Sequence, residues 1–258
     1  MVLFGSYARG NWVEDRYVEK GTTYEYRSDF DILVVLTHED LKQKFRIEDK
    51  VKTELIATGK VNTPVSLIFH GIKQLNASLT MGNYFFRDIK EEGKVLYDSQ
   101  KFRLARPKKL TATQYQQKAQ EYFDQWFENG NNALKKFNFS FQEKIWNEAA
   151  FDLHQATERY YTTILLVFTD YRPKDHNLEN LAIKVEMCDK RFVVFPQTTD
   201  EEKRRFELLK RAYIDARYKM DEYQITKEEL EYLAHKVSQL KELTAGICTS
   251  RIQEIGSK

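Results

Sequence analysis

The stretch "LFGSYARG", residues 3–10, places a Gly-Ser pair directly after a short apolar run. A second stretch, "SDFDILVVL", residues 28–36, places two aspartates at the start of another apolar run. Glycine permits a tight turn and lets backbone N–H groups approach an anion without side-chain obstruction. In a strand, side chains at i and i+2 point to the same side, so Asp29 and Asp31 project together. We therefore expect a phosphate cradle at Gly5 and Ser6 and a pair of carboxylates that acts with it.

The paired carboxylates indicate a site for a divalent cation. Two like charges side by side repel each other, and a cation relieves that repulsion. Mg²⁺ binds a few carboxylate oxygens and keeps positions open for water and for substrate phosphates. The sequence therefore predicts that Asp29 and Asp31 bind Mg²⁺ while the glycine turn binds the phosphates of a nucleotide.

Together, "GSYARG" and "SDFDILV" resemble the minimal nucleotidyltransferase domain of the polymerase-beta superfamily, over roughly residues 1–105. The resemblance implies that Gly5 and Ser6 bind the triphosphate of ATP or another nucleoside triphosphate. It also implies that Asp29 and Asp31 are catalytic and coordinate Mg²⁺. The implied reaction is in-line attack of an acceptor hydroxyl on the α-phosphorus, with pyrophosphate as the leaving group. The sequence does not specify the acceptor.

Three features depart from the pattern of this family, and one of them is the length of the gap between the two motifs. Its third carboxylate aligns with "PVSLIFH", residues 64–70, where this chain has Ser66. His70 is a candidate substitute base because a neutral imidazole has a suitable pKa. The other interpretation of His70 is a structural role at a strand end. Glu54 is a second candidate base. The family also has a helix and most of a strand before the glycine turn, so we expect the natural protein to extend upstream of Met1.

The gap between the two motifs is long. Residues 11–27 are rich in charged and aromatic side chains, which indicates either a lid or acceptor-recognition loop, or a solvated β-hairpin with its turn near Gly21. A helix-compatible stretch at 39–55 separates the apolar runs at 31–36 and 64–70, and a last short strand is predicted at 93–99. The Pro-containing basic stretch at 106–110 is the predicted linker.

Beyond the linker, apolar residues recur at three- and four-residue spacings. Such stripes predict amphipathic helices, among them segments at 200–219 and 227–245, with Asp175 or Asn177 as the cap of another short helix. The predicted fold class is therefore α+β: a small mixed-sheet domain over residues 1–105, followed by an all-α helical bundle over residues 112–250.

The bundle carries a second family pattern. The segment "AAFDLHQATERYYTTILLVFTDYRPKDHNLENL", residues 149–181, and "YIDARY", residues 213–218, resemble the HEPN domain. The residues that match are Gln155, Ala156, Glu158, His176, Leu178, Tyr213 and Arg217. Tyr213 and Arg217 stand at i and i+4 and share a helix face, so we expect them to bind a nucleotide base or phosphate. The other interpretation is an arginine that pairs with acidic groups between helices.

Some HEPN domains are metal-independent ribonucleases that use an arginine and a histidine four to six residues apart at the start of the last helix. No histidine follows Arg217 at that spacing, and Arg172 and His176 have only three residues between them, in a different loop. We therefore expect no ribonuclease activity that survives EDTA.

Composition excludes several other classes. The 41 basic and 39 acidic residues give no overall field that demands nucleic acid or an anionic membrane as partner. Cys188 and Cys248 form no disulfide framework, and no apolar run is long enough to span a bilayer. We expect a cytoplasmic protein without a membrane partner, which pairs with itself through the helical domain. The expected function is Mg²⁺-dependent nucleotidyl transfer. The alternatives are a catalytically inactive nucleotide-binding module and a toxin–antitoxin-type interaction protein.

Overall fold

The computed structural model describes residues 1–10, 14–19, 22–27, 29–37, 63–173, 176–219 and 221–257, and the single positions Arg46, Ile47, Lys50, Val51, Thr53, Glu54 and Thr58. The chain divides into two compact units, Met1–Lys109 and Leu110–Lys258. The first unit contains a small mixed sheet with helices, and the second is helical, so the predicted α+β class is confirmed.

The elements of the N-terminal unit are β1 (Val2–Phe4), α1 (Gly5–Arg9), β2 (Glu14–Glu19), β3 (Thr22–Arg27), β4 (Phe30–Leu36), β5 (Val65–Gly71), α2 (Ile72–Thr80), α3 (Tyr84–Glu92) and β6 (Lys94–Val95). Four strands form one sheet in the order β5-β4-β1-β6. Strand β1 is antiparallel to both of its neighbours, whereas β4 and β5 are parallel. Leu33 and Phe69 are the buried side chains of β4 and β5. Strand β4 lies between β5 and β1, which explains its apolar run.

Strands β2 and β3 form a separate antiparallel pair whose register runs from Glu14↔Arg27 to Glu19↔Thr22. The hairpin interpretation of residues 11–27 is therefore confirmed at the level of the backbone, and its expected turn residue, Gly21, lies outside the described residues. Most of the helix predicted at 39–55 also lies outside them.

The elements of the C-terminal unit are α4 (Ala112–Gln142), α5 (Trp146–Thr169), α6 (Leu178–Cys188), a 3₁₀ turn (Lys190–Phe192), α7 (Asp200–Arg211), α8 (Asp215–Tyr218) and α9 (Lys227–Gly256). Three of these helices begin with a capping box, in which a threonine side chain and a Glu or Gln three residues later satisfy each other's backbone N–H groups. Asn177 caps α6 as the sequence predicts. Across the described residues, no helix combines the length and apolar composition that crossing a bilayer requires.

Helix α5 lies at the centre of this unit and packs against α4, α6, α7, α8 and α9. Its alanines at 149, 150 and 156 are fully buried and allow neighbouring helices to approach closely. Leu153, Tyr160 and Ile164 fill the remaining space with no exposed surface. The helix is thus buried on nearly all sides, as expected for the middle of a bundle.

The C-terminus of α5 is joined to α4 by a buried carboxylate. Asp170 adopts the left-handed conformation that ends the helix, with φ of 54°. Its side chain is 1% exposed and accepts hydrogen bonds from Lys118 Nζ at 2.7 Å and Tyr122 Oη at 2.9 Å. Burial and the neighbouring Asp170 raise the pKa of Tyr122. The phenol therefore stays a donor to this carboxylate at physiological pH.

The segment predicted as one helix over 200–219 is interrupted. Helix α7 ends at Arg211, and the short α8 follows from Asp215. Near this break the buried Tyr223 donates its hydroxyl hydrogen to the Leu208 carbonyl at 2.9 Å, and Arg211 Nε binds Asp215 Oδ2 at 2.6 Å. The Leu208 carbonyl thus accepts a second hydrogen bond besides the one from the Ala212 N–H, and the local Arg211–Asp215 pair links the end of α7 to the start of α8.

A glycine in the middle of α4 permits the closest approach to α5. A Cβ added at Gly130 would lie 2.5 Å from Tyr160 Cε1, within the buried core. We therefore expect Gly130→Ala to lower the free energy of unfolding by about 1–3 kcal/mol through overpacking, despite the better helix propensity of alanine. Urea unfolding measures this change.

The matched control is Gly246→Ala in α9, where an added Cβ meets no atom within 4 Å. This substitution should raise the free energy of unfolding by about 0.5–1 kcal/mol, since it gains propensity without a clash. A Gly130→Ala variant as stable as the wild type would contradict the packing assigned to Tyr160.

Candidate functional site

The glycine turn and the paired aspartates meet in the N-terminal unit. Phe4 of β1 is the register partner of Asp31 of β4, so the chain enters the turn directly beside this carboxylate. Gly5 has a φ of +76°, a conformation that other residues rarely adopt. An L-side chain at this position would also overlap Asp31 Oδ2. Only glycine fits, because the Asp31 carboxylate occupies the space that a side chain at position 5 would need.

The two aspartates flank the first residue of β4. Asp29 immediately precedes the strand and Asp31 is its second residue, and both are partly exposed. Since they are two residues apart in extended backbone, the side chains share one side of the sheet. Ser6 follows Gly5 in α1. The structure thus brings Gly5 and Asp31 together, and places Ser6 and Asp29 next to them in the chain.

The residues present fit a magnesium ion bound jointly with phosphates. Within the described part of the chain, no three His, Cys, Asp or Glu side chains are close enough to form a metal cage of their own. Mg²⁺ is commonly held by one or two carboxylates together with water and substrate phosphates. Asp29 and Asp31 beside a glycine turn match that mode of binding.

The candidate base His70 lies elsewhere on the sheet. Asp31 pairs with Ser66 across the parallel β4–β5 ladder, whereas His70 pairs with Val35, four residues further along. This spacing corresponds to roughly 13 Å along the strand. The His70 ring packs edge-on against Phe86 of α3, with ring centroids 4.7 Å apart. The expectation that His70 acts beside the aspartates is therefore corrected: its position is that of a packed ring at the far end of β5.

The second candidate base, Glu54, is an exposed side chain with a lysine neighbour. Its carboxylate lies 3.8 Å from Lys50 Nζ, one helical turn earlier in the chain. On the strand beside Asp31, where the family pattern has a carboxylate, this protein has the hydroxyl of Ser66.

In the helical unit, several of the motif residues converge on one buried carboxylate. Glu158 of α5 is 2% exposed, and its Oε2 lies 3.1 Å from His176 Nδ1. On the other side, His154 Nε2 lies 3.8 Å from the same oxygen. His154 Nδ1 is 3.0 Å from the Leu209 carbonyl, which can only accept, so this nitrogen carries the hydrogen. His154 Nε2 is buried and has no hydrogen-bond partner among the described residues.

Tyr213 stacks on both histidine rings. Its ring centroid is 5.2 Å from that of His154 and 4.8 Å from that of His176, with interplanar angles of 27° and 13°. The histidines therefore use part of the stacking surface of this half-buried tyrosine. The nucleotide-binding role expected of Tyr213 stays a prediction.

Arg217 is occupied by groups of the protein itself. Its Nε donates a hydrogen bond to the Tyr213 carbonyl oxygen at 2.8 Å, and its guanidinium carbon lies 4.5 Å from the Phe151 ring centroid. Among the described residues it forms no ion pair. The structure thus brings Tyr213 and Arg217 into contact, although Tyr213 lies in the turn before α8 and not on a shared helix face. These contacts are made within the protein, and nucleotide binding by the pair stays a prediction.

The basic face of α7 is likewise paired internally. Arg204 and Arg205 contact Glu201 at 3.1 and 2.9 Å. Lys210 lies 2.7 Å from Glu179 of α6. Each charge has an acidic neighbour, which leaves this helix face a solvated network of ion pairs.

Sequence reasoning missed three side chains around Glu158. His154 lies four residues before Glu158 on α5, and Arg159 directly follows Glu158. Trp126 of α4 faces Arg159 and Arg172. The i, i+4 spacing of His154 and Glu158 was a usable signal. The Trp126 contacts join α4, α5 and the loop after α5, and no local pattern reveals them.

Burial makes His154 a source of pH-dependent stability. Desolvation, assisted by His176 and Arg217 and opposed by the Leu209 carbonyl and Glu158, lowers its pKa below the ordinary value. The unfolded chain, with a histidine pKa near 6.5, then binds more protons than the folded protein in mildly acidic solution. Stability attributable to this group is therefore present above pH of about 6.5 and declines as the pH falls below it, by up to about 1.4 kcal/mol per pH unit.

We expect urea unfolding to show this decline between about pH 7.5 and pH 5.5 in the wild type and a shallower one in His154→Gln. Glutamine retains an N–H donor for the Leu209 carbonyl but does not titrate. Equal pH slopes for the two proteins would contradict a neutral, buried His154.

Comparison with known protein families identifies the helical unit. Residues 123–247 match the HEPN domain model. A comparison with curated proteins finds no match. The matched range includes Glu158, His176, Tyr213 and Arg217, which are the residues that carry the sequence pattern. The C-terminal unit of this protein therefore contains a HEPN domain, at residues 123–247.

Proposed function

We propose that the N-terminal unit is a Mg²⁺-dependent nucleotidyltransferase, which transfers a nucleoside monophosphate from ATP or another nucleoside triphosphate to a hydroxyl acceptor. The observation that carries the proposal is the contact between the turn at Gly5 and the carboxylate of Asp31. It supports a site in which the turn binds a phosphate group and Asp31 binds the metal ion that contacts the same phosphate.

Each residue has a distinct part in this proposal. The backbone N–H groups at Gly5 and Ser6 bind phosphate oxygens, because glycine carries no side chain of its own that would keep an anion away. Asp29 and Asp31 hold the magnesium ion, which supplies positive charge to the phosphates when it is bound. The acceptor oxygen forms a bond to the α-phosphorus, and the bond from that phosphorus to the pyrophosphate oxygen breaks. The proton of the acceptor hydroxyl passes to a base or to water.

A second candidate function is nucleotide binding without transfer. It is favoured by one observation: the strand beside Asp31 offers Ser66, a hydroxyl, in place of a third carboxylate that could accept the acceptor's proton. The two candidates share the same nucleotide site and differ in whether pyrophosphate is released. The homodimer through the helical unit and the cytoplasmic location stay predictions.

We expect Asp31→Asn to weaken binding of ATP in the presence of Mg²⁺ at least tenfold, since the variant loses the charge that faces the cation. Isothermal titration calorimetry of the full chain measures the affinity, and thermal unfolding checks that the fold persists. EDTA should have a similar effect on the wild type.

The matched control is Asp98→Asn, an exposed aspartate of the same unit whose side chain accepts a hydrogen bond from the Gln100 backbone N–H at 2.8 Å. It should bind ATP as the wild type does. Wild-type affinity of Asp31→Asn for ATP in the presence of Mg²⁺ would exclude the proposed site.

We further expect Ser66→Asp to increase pyrophosphate release from labelled ATP, measured with Mg²⁺ and cell extract as the source of acceptor. The new carboxylate would lie on the strand next to Asp31 and could accept the hydroxyl proton, an effect worth about 100-fold or more in general base catalysis. Ser66→Asn, of similar size but without charge, is the control and should not gain activity. ATP binding with no pyrophosphate from the wild type or Ser66→Asp would instead establish the binding module.

A further inference from the structure

Two arginines of the HEPN domain contact the same tryptophan. The guanidinium carbon of Arg172, in the loop after α5, lies 4.2 Å from the Trp126 ring centroid. That of Arg159, in α5, lies 5.5 Å from it. Cation–π contacts at these distances place both guanidinium groups against the same indole ring, and the charge of Arg159 acts on Arg172.

Arg172 has no hydrogen bond and no ion pair among the described residues, and its guanidinium contacts the Trp126 ring. The side chain is exposed at the surface. Burial of part of the guanidinium and the charge of Arg159 lower the pKa of Arg172, and the charge of Glu158 opposes them. Within the described part of the chain, its planar N–H donors thus lie on an aromatic ring without a protein acceptor, and a second positive charge is nearby.

The carboxylate of Glu158, which directly precedes Arg159, contacts both Arg159 and His176. Glu158 Oε1 lies 3.9 Å from Arg159 Nη1, and its Oε2 is 3.1 Å from His176 Nδ1. Arg159 Nη2 also donates to Gln155 Oε1 at 3.1 Å. Glu158 is 2% exposed and therefore lies beneath the surface on which Arg172 is presented. It offsets one of the two guanidinium charges, and the surface pair keeps an excess of positive charge.

We propose that Arg159 and Arg172, supported by Trp126, form an oxyanion site that binds a phosphate group. Phosphate suits the pair because its several oxygens accept hydrogen bonds from two planar guanidinium groups at once. This site lies within the HEPN domain and is independent of the nucleotide site proposed for the N-terminal unit. It also differs from the motif pair Tyr213 and Arg217, which is occupied internally.

The phosphate group could belong to a nucleotide or to an inorganic polyphosphate, and the ligands tested separate these sources. We expect the full chain in EDTA to bind pyrophosphate and ATP, because this site needs no metal. Equal affinities indicate recognition of phosphate alone, and tighter binding of ATP indicates that the base adds contacts. Isothermal titration calorimetry gives both affinities, and EDTA removes the Mg²⁺-dependent contribution of Asp29 and Asp31.

Arg172→Ala and Arg159→Ala should each weaken binding in EDTA about tenfold or more, since each removes charge-assisted hydrogen bonds. Arg172→Lys keeps the charge but loses the planar fork and should bind less tightly than the wild type. Arg191→Ala is the matched control, because Arg191 is an exposed arginine of the same unit that pairs with its neighbour Asp189 at 2.7 Å. It should bind as the wild type does.

Asp31→Asn separates this proposal from the transferase proposal. Binding in EDTA should be unchanged in Asp31→Asn, whatever happens to Mg²⁺-dependent binding in that variant. Circular dichroism and thermal unfolding confirm that the exposed Arg172 variants remain folded. Absence of pyrophosphate binding by the wild type in EDTA, or wild-type affinity in Arg172→Ala, would overturn the oxyanion site.

Discussion

The burial of helix α5 on nearly all sides determines where the polar groups of the helical unit can lie. A helix without a solvent face must pair each polar side chain with a group from a neighbouring element, since an unpaired buried charge is costly. Glu158 pairs with His176 of the following loop, and the buried Asp170 accepts hydrogen bonds from Lys118 and Tyr122 of α4. These pairs fix α4, α5 and the loop after α5 relative to one another. The same constraint presents Arg172 outward, where it rests on Trp126.

The N-terminal unit depends on a different constraint, the register between β1 and β4. A shift of one residue would turn the aspartates to the other face of the sheet and separate Asp31 from the glycine turn. The pairing of Phe4 with Asp31 prevents this, and Tyr7 of α1 packs against Phe30 with ring centroids 4.3 Å apart. The aromatic contact holds α1 against the first residue of β4. It therefore helps to keep the glycine turn next to the two carboxylates.

The sequence allowed the α+β class, the hairpin, the cap at Asn177 and the contact between the Gly-Ser turn and the aspartates to be predicted, because each depends on local chemistry or on a specific motif. It did not allow the position of His70 to be predicted, since the register of a parallel strand pair is set by packing over the whole sheet. Tyr213 and Arg217 contact each other, but the other residues that they contact lie in α5 and in a distant loop, which the local sequence does not reveal. The support of Arg172 by Trp126 is likewise a tertiary contact between residues 46 positions apart in the chain.

Gly5 and Asp31 also restrict each other's replacement over evolution. A larger residue at position 5 would meet two separate penalties, one from its φ of +76° and one from overlap with the aspartate oxygen. A shorter residue at position 31 would remove the overlap but not the backbone penalty. Related chains that have lost the carboxylate should therefore retain the glycine for conformational reasons alone, whereas chains that have lost the glycine should rarely retain the carboxylate. The order in which related chains lose Gly5 and Asp31 would then show which of the two residues first ceased to be under selection.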